Sequence, residues 1–365
     1  MRMRSPEKRF SGTGLVAKGF ANLALVVVVL FTFNAQTSTP QFKDQDGKII
    51  EGSIAEERQL TLGGVEQTVL LRGRDRTAPL LVFVHGGPGA TATPFLRTYN
   101  ADLEDSFVVA YWDQRGTAKS YNQALDPADM TIAQLTADLG ELIDQLLVEF
   151  EQDQVLLVAH SWGTIIGLEY AASRPETVAG FISVSQTTNQ MASDRLGHEW
   201  ALNEAQLINN QNAVDDLNEI GQPEYTIEEF YTQRRWVNVL GGGLYKPQSD
   251  LTLLTTALRT SEFGWTDLRS FFAGTQFSSK ALWDEQQAYD ARARHSDLDV
   301  PVFMMIGRHD KIIAPELGAS YFNFLKAPSK ELIWFEQSAH APLFEEPEKF
   351  NYEVLRIAIE VGLMR

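Results

Sequence analysis

The segment Gln154-Val-Leu-Leu-Val-Ala-His-Ser-Trp-Gly-Thr-Ile165 constrains this chain more than any other stretch. An apolar run at 155–158 ends in a small-x-Ser-x-small turn, Ala159-His160-Ser161-Trp162-Gly163, and a helical pattern follows at once. A serine in that setting sits on a sharp strand-to-helix turn, with its hydroxyl raised above the end of a sheet. The turn needs small residues on both sides, because it brings the strand and helix backbones close together. The first of them here is Ala159 where glycine is usual, one methyl more.

Upstream, a second apolar run, Leu80-Leu-Val-Phe-Val84, ends in His85-Gly86-Gly87-Pro88-Gly89. A glycine-rich loop after a buried strand leaves backbone N–H groups free. One of them, with the N–H of Trp162 just after the serine, would supply two donors for a developing oxyanion. Downstream, the run 300–306 ends at Gly307-Arg308-His309-Asp310, and the run 331–335 leads into Glu336-Gln337-Ser338-Ala339-His340. Serine, acid and histidine thus follow one another in the order that places all three at neighbouring strand ends. In this scheme His340 takes the Ser161 proton and returns it to the leaving group, while Asp310 fixes the imidazole tautomer.

The chain has six histidines. His85 belongs to the glycine loop, His160 packs beside the turn, and His198 and His295 lie in or at the edge of an inserted region. His309 adjoins the acid and cannot serve as the base that the acid orients. His340 alone follows the last strand. Glu336 rivals Asp310 as the acid, but it shares a strand end with His340 and reads as a solvated carboxylate.

With Asp113-Gln-Arg-Gly116 after a further strand, these motifs resemble α/β-hydrolases of the proline iminopeptidase type, a group of serine aminopeptidases. The resemblance covers roughly residues 50–365 apart from the middle. It implies Ser161, Asp310 and His340 as the triad, and Gly87 (or Gly86) with Trp162 as oxyanion donors. It also implies that lid carboxylates receive the free amine of the substrate, with Glu199, Glu204 and Glu285 as candidates beside Glu228, Glu229 and Glu262. The chain departs from the family at Ala159, and at Thr117-Ala118-Lys119-Ser120 where Ser-Gly-Arg-Ser is usual.

Composition narrows the classes further. A formal charge of −17 repels phosphate backbones, so nucleic acid is not an expected partner. No cysteine is present, which excludes disulfides and thiol catalysis. No His/Asp/Glu group has metal-ligand spacing, so neither metal nor other cofactor is expected. The N-terminus carries Arg2, Arg4, Lys8, Arg9 and Lys18 against Glu7, followed by an apolar stretch at 23–33. That pattern fits either a cleaved secretory signal or an uncleaved anchor, with the catalytic part outside the cytoplasm. Membrane contact is expected only through this segment.

The expected organisation is a signal or anchor at 1–38, a polar linker at 39–50, an α/β body at 51–188 and 296–365, and a helical lid at 189–295. Residues 58–71 alternate around Gly63-Gly64 and predict a hairpin. Beyond it, strands and helices alternate, which implies a mostly parallel sheet covered on both faces. Capping boxes are expected at Thr131-x-x-Gln134 and Thr226-x-x-Glu229. The lid is dense in aromatics, from Trp200 through Trp236 to Trp283. The expected activity is removal of an N-terminal residue, preferably proline, from a short peptide through an acyl-enzyme. An esterase of small acyl substrates using the same triad is the alternative, and a hydrolase-fold binding protein without chemistry is a third reading.

Overall fold

The computed structural model describes residues 37–246 and 248–364. The basic flank and apolar stretch read as a signal or anchor lie outside the described residues. Among the described residues, no helix is long and apolar enough to cross a membrane.

The body is one eight-stranded sheet. Strands β1 (Ile54–Leu62) and β2 (Val65–Gly73) form the opening hairpin. Then follow β3 (Leu80–Val84), β4 (Val108–Trp112), β5 (Val155–His160), β6 (Val178–Val184), β7 (Val302–Gly307) and β8 (Lys330–Phe335). Their spatial order is β1-β2-β4-β3-β5-β6-β7-β8. The first two pairings, β1 with β2 and β2 with β4, are antiparallel; the rest are parallel. Parallel strands need crossovers, and those crossovers lay helices on both faces.

Side-chain alternation divides the strands between two apolar clusters. Val82, Val84, Ala110, Trp112, Leu157 and Ala159 point to one face, where they meet α2 (Ile132–Glu149) and α3 (Gly163–Ser173). Leu81, Phe83, Val109, Tyr111, Leu156 and Val158 point to the other. That second face is covered by α1 (Thr93–Tyr99) and α13 (Pro347–Glu360), through Leu96, Phe350, Val354 and Ile357. Each fully buried Val, Leu, Ile or Phe contributes about 1.5–3 kcal/mol, so these strands are held from both sides.

Between β6 and β7 run α4 (Gln190–Leu207), α5 (Gln211–Ile220), α6 (Ile227–Val239), α7 (Asp250–Leu258), α8 (Trp265–Ala281), α9 (Trp283–Ala288) and α10 (Ala291–Arg294). Helices α4, α5 and α6 share a small core of Ala201, Ala205, Ala213, Leu217, Trp236 and Val237. Helix α8 instead packs on the body, with Phe277 against its first cluster. After β7 come α11 (Pro315–Phe324) and α12 (Pro342–Glu345).

Two local expectations change. Thr226 and Glu229 make the full reciprocal capping box. Thr131 accepts the Gln134 N–H at 3.0 Å, but the return bond is not made, because the Gln134 amide reaches Asp138 at 2.8 Å instead. The start of the stretch read as a linker touches both parts: Thr39 donates to Glu262 of the lid at 3.1 Å, and Arg72 of β2 donates to Pro40 O at 2.9 Å.

Candidate active site

The turn after β5 places Ser161 at φ 54, in the left-handed region. Its N–H donates to Val184 O at 2.9 Å, which ties the turn to the neighbouring strand. A Cβ at Gly163 would lie 2.4 Å from the carbonyl oxygens of Val84 and His85, so the second small position is forced by close approach. The first tolerates alanine for a reason the sequence did not disclose. Gly167, one turn into α3, faces Ala159: a Cβ there would lie 2.9 Å from the Ala159 methyl, so the missing side chain makes room for it.

Three sequence-distant residues meet at this turn. Ser161 Oγ lies 2.8 Å from His340 Nε2, and His340 Nδ1 lies 2.9 Å from Asp310 Oδ2. Asp310 is wholly buried at the end of β7. Its other oxygen accepts the N–H groups of Ile312 and Ile313 at 2.8 and 2.9 Å, so both oxygens are engaged and the carboxylate cannot turn away. Glu336 forms a surface pair with Arg308 at 2.7 Å and stays out of the site.

The other histidines have partners of their own. His198 lies 2.8 Å from the Tyr225 hydroxyl, His295 pairs with Glu169 at 3.0 Å, and His309 stacks on Tyr245 at 4.5 Å. His160 donates from Nε2 to the His340 carbonyl at 2.8 Å. Burial, with His340 nearby, lowers its pKa to about 3, so the ring beside the base is neutral. A neutral neighbour brings no charge to oppose an imidazolium on His340.

The glycine loop lies against the serine. A Cβ at Gly86 would come within 2.9 Å of Ser161 Cβ, and Gly87 adopts φ 125, which excludes other residues. His85 braces the loop: Nδ1 donates to Gly86 O at 2.8 Å, and Nε2 accepts the Gln114 N–H at 3.2 Å. Burial lowers the His85 pKa to about 4, which keeps it in the neutral form this pairing needs. The Gly86–Gly87 peptide is trans, so fixing its carbonyl also fixes the opposed Gly87 N–H. Among the described residues, neither the Gly87 N–H nor the Trp162 N–H donates to a partner.

The Asp113-Gln-Arg-Gly116 motif supports this loop from behind. Arg115 is buried and binds Asp138 at 2.8 Å and the Gly63 carbonyl at 2.8 Å, which joins the hairpin to α2. Gln114 holds the His85 carbonyl at 2.8 Å. Asp113 accepts from the Thr91 hydroxyl and the Lys119 N–H, and burial raises its pKa to about 6. The departure at Ala118 falls where the family usually carries glycine. It sits at φ 39 and is buried, a left-handed alanine held in place by its surroundings.

The lid glutamates separate by partner. Glu285 serves the body: its carboxylate accepts the Ile132 N–H at 2.8 Å and so caps α2. Glu262 is buried against Arg97 at 3.1 Å, and Glu229 is spent in its capping box. Glu228 is exposed on α6. Glu199 is exposed and Glu204 half-buried on α4, and neither makes a salt bridge among the described residues. Sequence reasoning, confined to glutamates, missed Asp194, the wholly buried lid carboxylate. It accepts from Gln190 at 2.8 Å and Arg234 at 2.7 Å, and burial pushes its pKa up. Its signal was Gln190 and Asp194 one turn apart on a helix. No group of three or more potential metal ligands occurs among the described residues.

Comparison with known proteins agrees with the fold. The model of the alpha/beta hydrolase family matches residues 81–353. A Bacillus subtilis (strain 168) protein named "Probable aminopeptidase YbaC" is 32% identical over 309 residues, covering 84% of this chain and 97% of that protein. The proline iminopeptidase of Heyndrickxia coagulans is 25% identical over 276 residues, 74% of this chain and 87% of that one. A solved proline iminopeptidase-related protein of Thermus thermophilus superposes with a TM-score of 0.62 at 20% identity, covering 85% of this chain and all of the other, a likeness of fold alone. The chain belongs to the alpha/beta hydrolase family, and within it resembles the proteins named aminopeptidase and proline iminopeptidase.

Proposed function

We propose that this protein is a serine hydrolase that releases an N-terminal residue, preferably proline, from short peptides. The observation that carries the reading is the continuous series Ser161 Oγ, His340, Asp310, with contacts of 2.8 and 2.9 Å. The peptidase assignment draws its support from the relatives named aminopeptidase and proline iminopeptidase.

In this mechanism His340 Nε2 accepts the Ser161 Oγ proton as the oxygen attacks the scissile carbonyl carbon. The carbonyl oxygen becomes an oxyanion against the Gly87 and Trp162 N–H groups, which strengthen as donors when charge develops. The C–N bond then breaks, and the leaving amine takes the proton from His340. Water, deprotonated by the same imidazole, cleaves the acyl-enzyme and restores the serine. Asp310, locked by two backbone N–H groups, keeps Nδ1 protonated and offsets the imidazolium charge. No step needs a metal or cofactor.

The substrate's ammonium would be held by a lid carboxylate, for which Glu199 and Glu204 remain available. An ammonium–carboxylate contact selects free N-termini and so favours exopeptidase action. The test compares proline naphthylamide with short p-nitrophenyl esters. Arylamidase activity, lost on Ser161→Ala, is the expected result; rapid ester turnover without arylamidase activity would establish the esterase instead. We also propose an extracytoplasmic location, from the basic flank and apolar stretch of the N-terminus. Cell fractionation with N-terminal sequencing tests it, and a full-length soluble cytoplasmic product would refute it.

A further inference from the structure

Asp310 and His340 hang from the ends of two different strands, and the lid links their loops. Just beyond α6, the Gly242 carbonyl accepts the N–H of Lys311 at 2.9 Å, and the Gly243 carbonyl accepts the N–H of His340 at 3.1 Å. Two successive lid carbonyls therefore hold the residue after the acid and the base itself. A second tie comes from α6. Arg234 donates from Nη1 to Ile312 O at 3.0 Å and from Nη2 to Asp194 at 2.7 Å. Ile312 is the residue whose own N–H lies on Asp310. A third tie follows at Tyr245, whose N–H donates to Glu345 at 2.7 Å, while the same carboxylate holds the Ala339 N–H at 3.0 Å.

The approach is close enough to exclude side chains. A Cβ at Gly242 would lie 2.7 Å from Lys311 Cβ and 2.6 Å from Trp200. Each bond on its own is modest in strength. Their placement matters more, because reacting groups displaced by about 1 Å lose roughly a hundredfold in rate.

We propose that lid residues Gly242 and Gly243, with Arg234, form a positioning clip that aligns Asp310 and His340, so that the lid in its described position completes the triad. The clip rests on Ser161 acting as nucleophile, but not on the identity of the substrate. The lid then does more than shape a pocket: whatever displaces the end of α6 also lowers the reactivity of the serine.

The test uses the full chain, a small fluorophosphonate and two variants. The double variant Asp194→Asn/Arg234→Gln removes the tie without leaving a buried charge alone. Gly242→Ala brings a methyl against Lys311 Cβ and Trp200 and so displaces the segment whose carbonyls hold Lys311 and His340. In folded variants, labelling and kcat should fall together by about tenfold or more, with KM within about threefold of wild type. The low-field proton resonance of the His340–Asp310 hydrogen bond should weaken or vanish. Wild-type labelling rates and an unchanged resonance, with only KM altered, would overturn the clip. If the wild-type protein itself is not labelled, the nucleophile reading fails and the clip with it. Should Gly242→Ala fail to fold, the double variant decides alone.

Discussion

The sheet body and the lid hold their parts by different means. In the body, strands such as β3 and β5 are wholly buried, and alternate side chains fill two large apolar clusters. The α4–α6 part of the lid has a core of only six buried residues, three of them alanines. Polar contacts to the body supplement it: Thr275 and Ser278 of α8 donate to the carbonyls of Gly89 and Gly116 at 2.8 and 2.9 Å, and Arg234 donates to Ile312. Apolar burial fixes in place the strand ends that carry Ser161, Asp310 and His340. The α4–α6 part of the lid, with its small core and directional bonds to the body, can shift with smaller loss, and it touches the loops where small shifts matter.

The largest effect that would break this contrast lies at the strand ends. His340→Ala should lower kcat by about a millionfold, while thermal unfolding stays near that of the wild type, since the half-buried ring holds up little of the fold. A large loss of stability instead would mean that the site is part of the core. Next is the buried Arg115–Asp138 pair of the body, with side chains 1% and 0% exposed. Arg115→Met leaves Asp138 without its cation and should cost about 3–5 kcal/mol, read by denaturant titration. Ala159→Val comes third: Ala159 is wholly buried with its methyl facing Gly167, so overpacking should cost about 1–3 kcal/mol. The smallest change belongs to the lid. Arg235 and Asp216 pair at 2.6 Å but are 56% and 38% exposed, so Arg235→Ala should cost under about 1 kcal/mol. A loss as large as that of Arg115→Met would erase the distinction between the two regions.

Body and lid also differed in how far the sequence could be read. Apolar runs of four to seven residues ending in glycine or a turn marked β3, β5, β7 and β8, and Gly86, Ser161, Asp310 and His340 follow within a few residues of their ends. Burial on both faces makes β3, β5 and β7 uniformly apolar, the edge strand β8 is only partly buried, and chain order then places the residues that follow. The lid offered no such rule. Glu285 caps a body helix far away in sequence, Glu262 sits among arginines from β2 and α1, and buried Asp194 escaped notice. Nor could the sequence show the ties at Gly242 and Gly243, because backbone carbonyls leave no trace in residue identity. The Gly167 vacancy that accommodates Ala159 depends on a contact between α3 and β5, which periodicity alone does not register.

Everything proposed for the site depends on Ser161 being a nucleophile activated by His340 and Asp310. Intact-mass analysis after treatment with a fluorophosphonate, followed by peptide mapping, tests it most directly. A single adduct is expected on Ser161, absent from Ser161→Ala and formed far more slowly in His340→Ala. An unmodified protein, or an adduct on another residue that persists in Ser161→Ala, would contradict it.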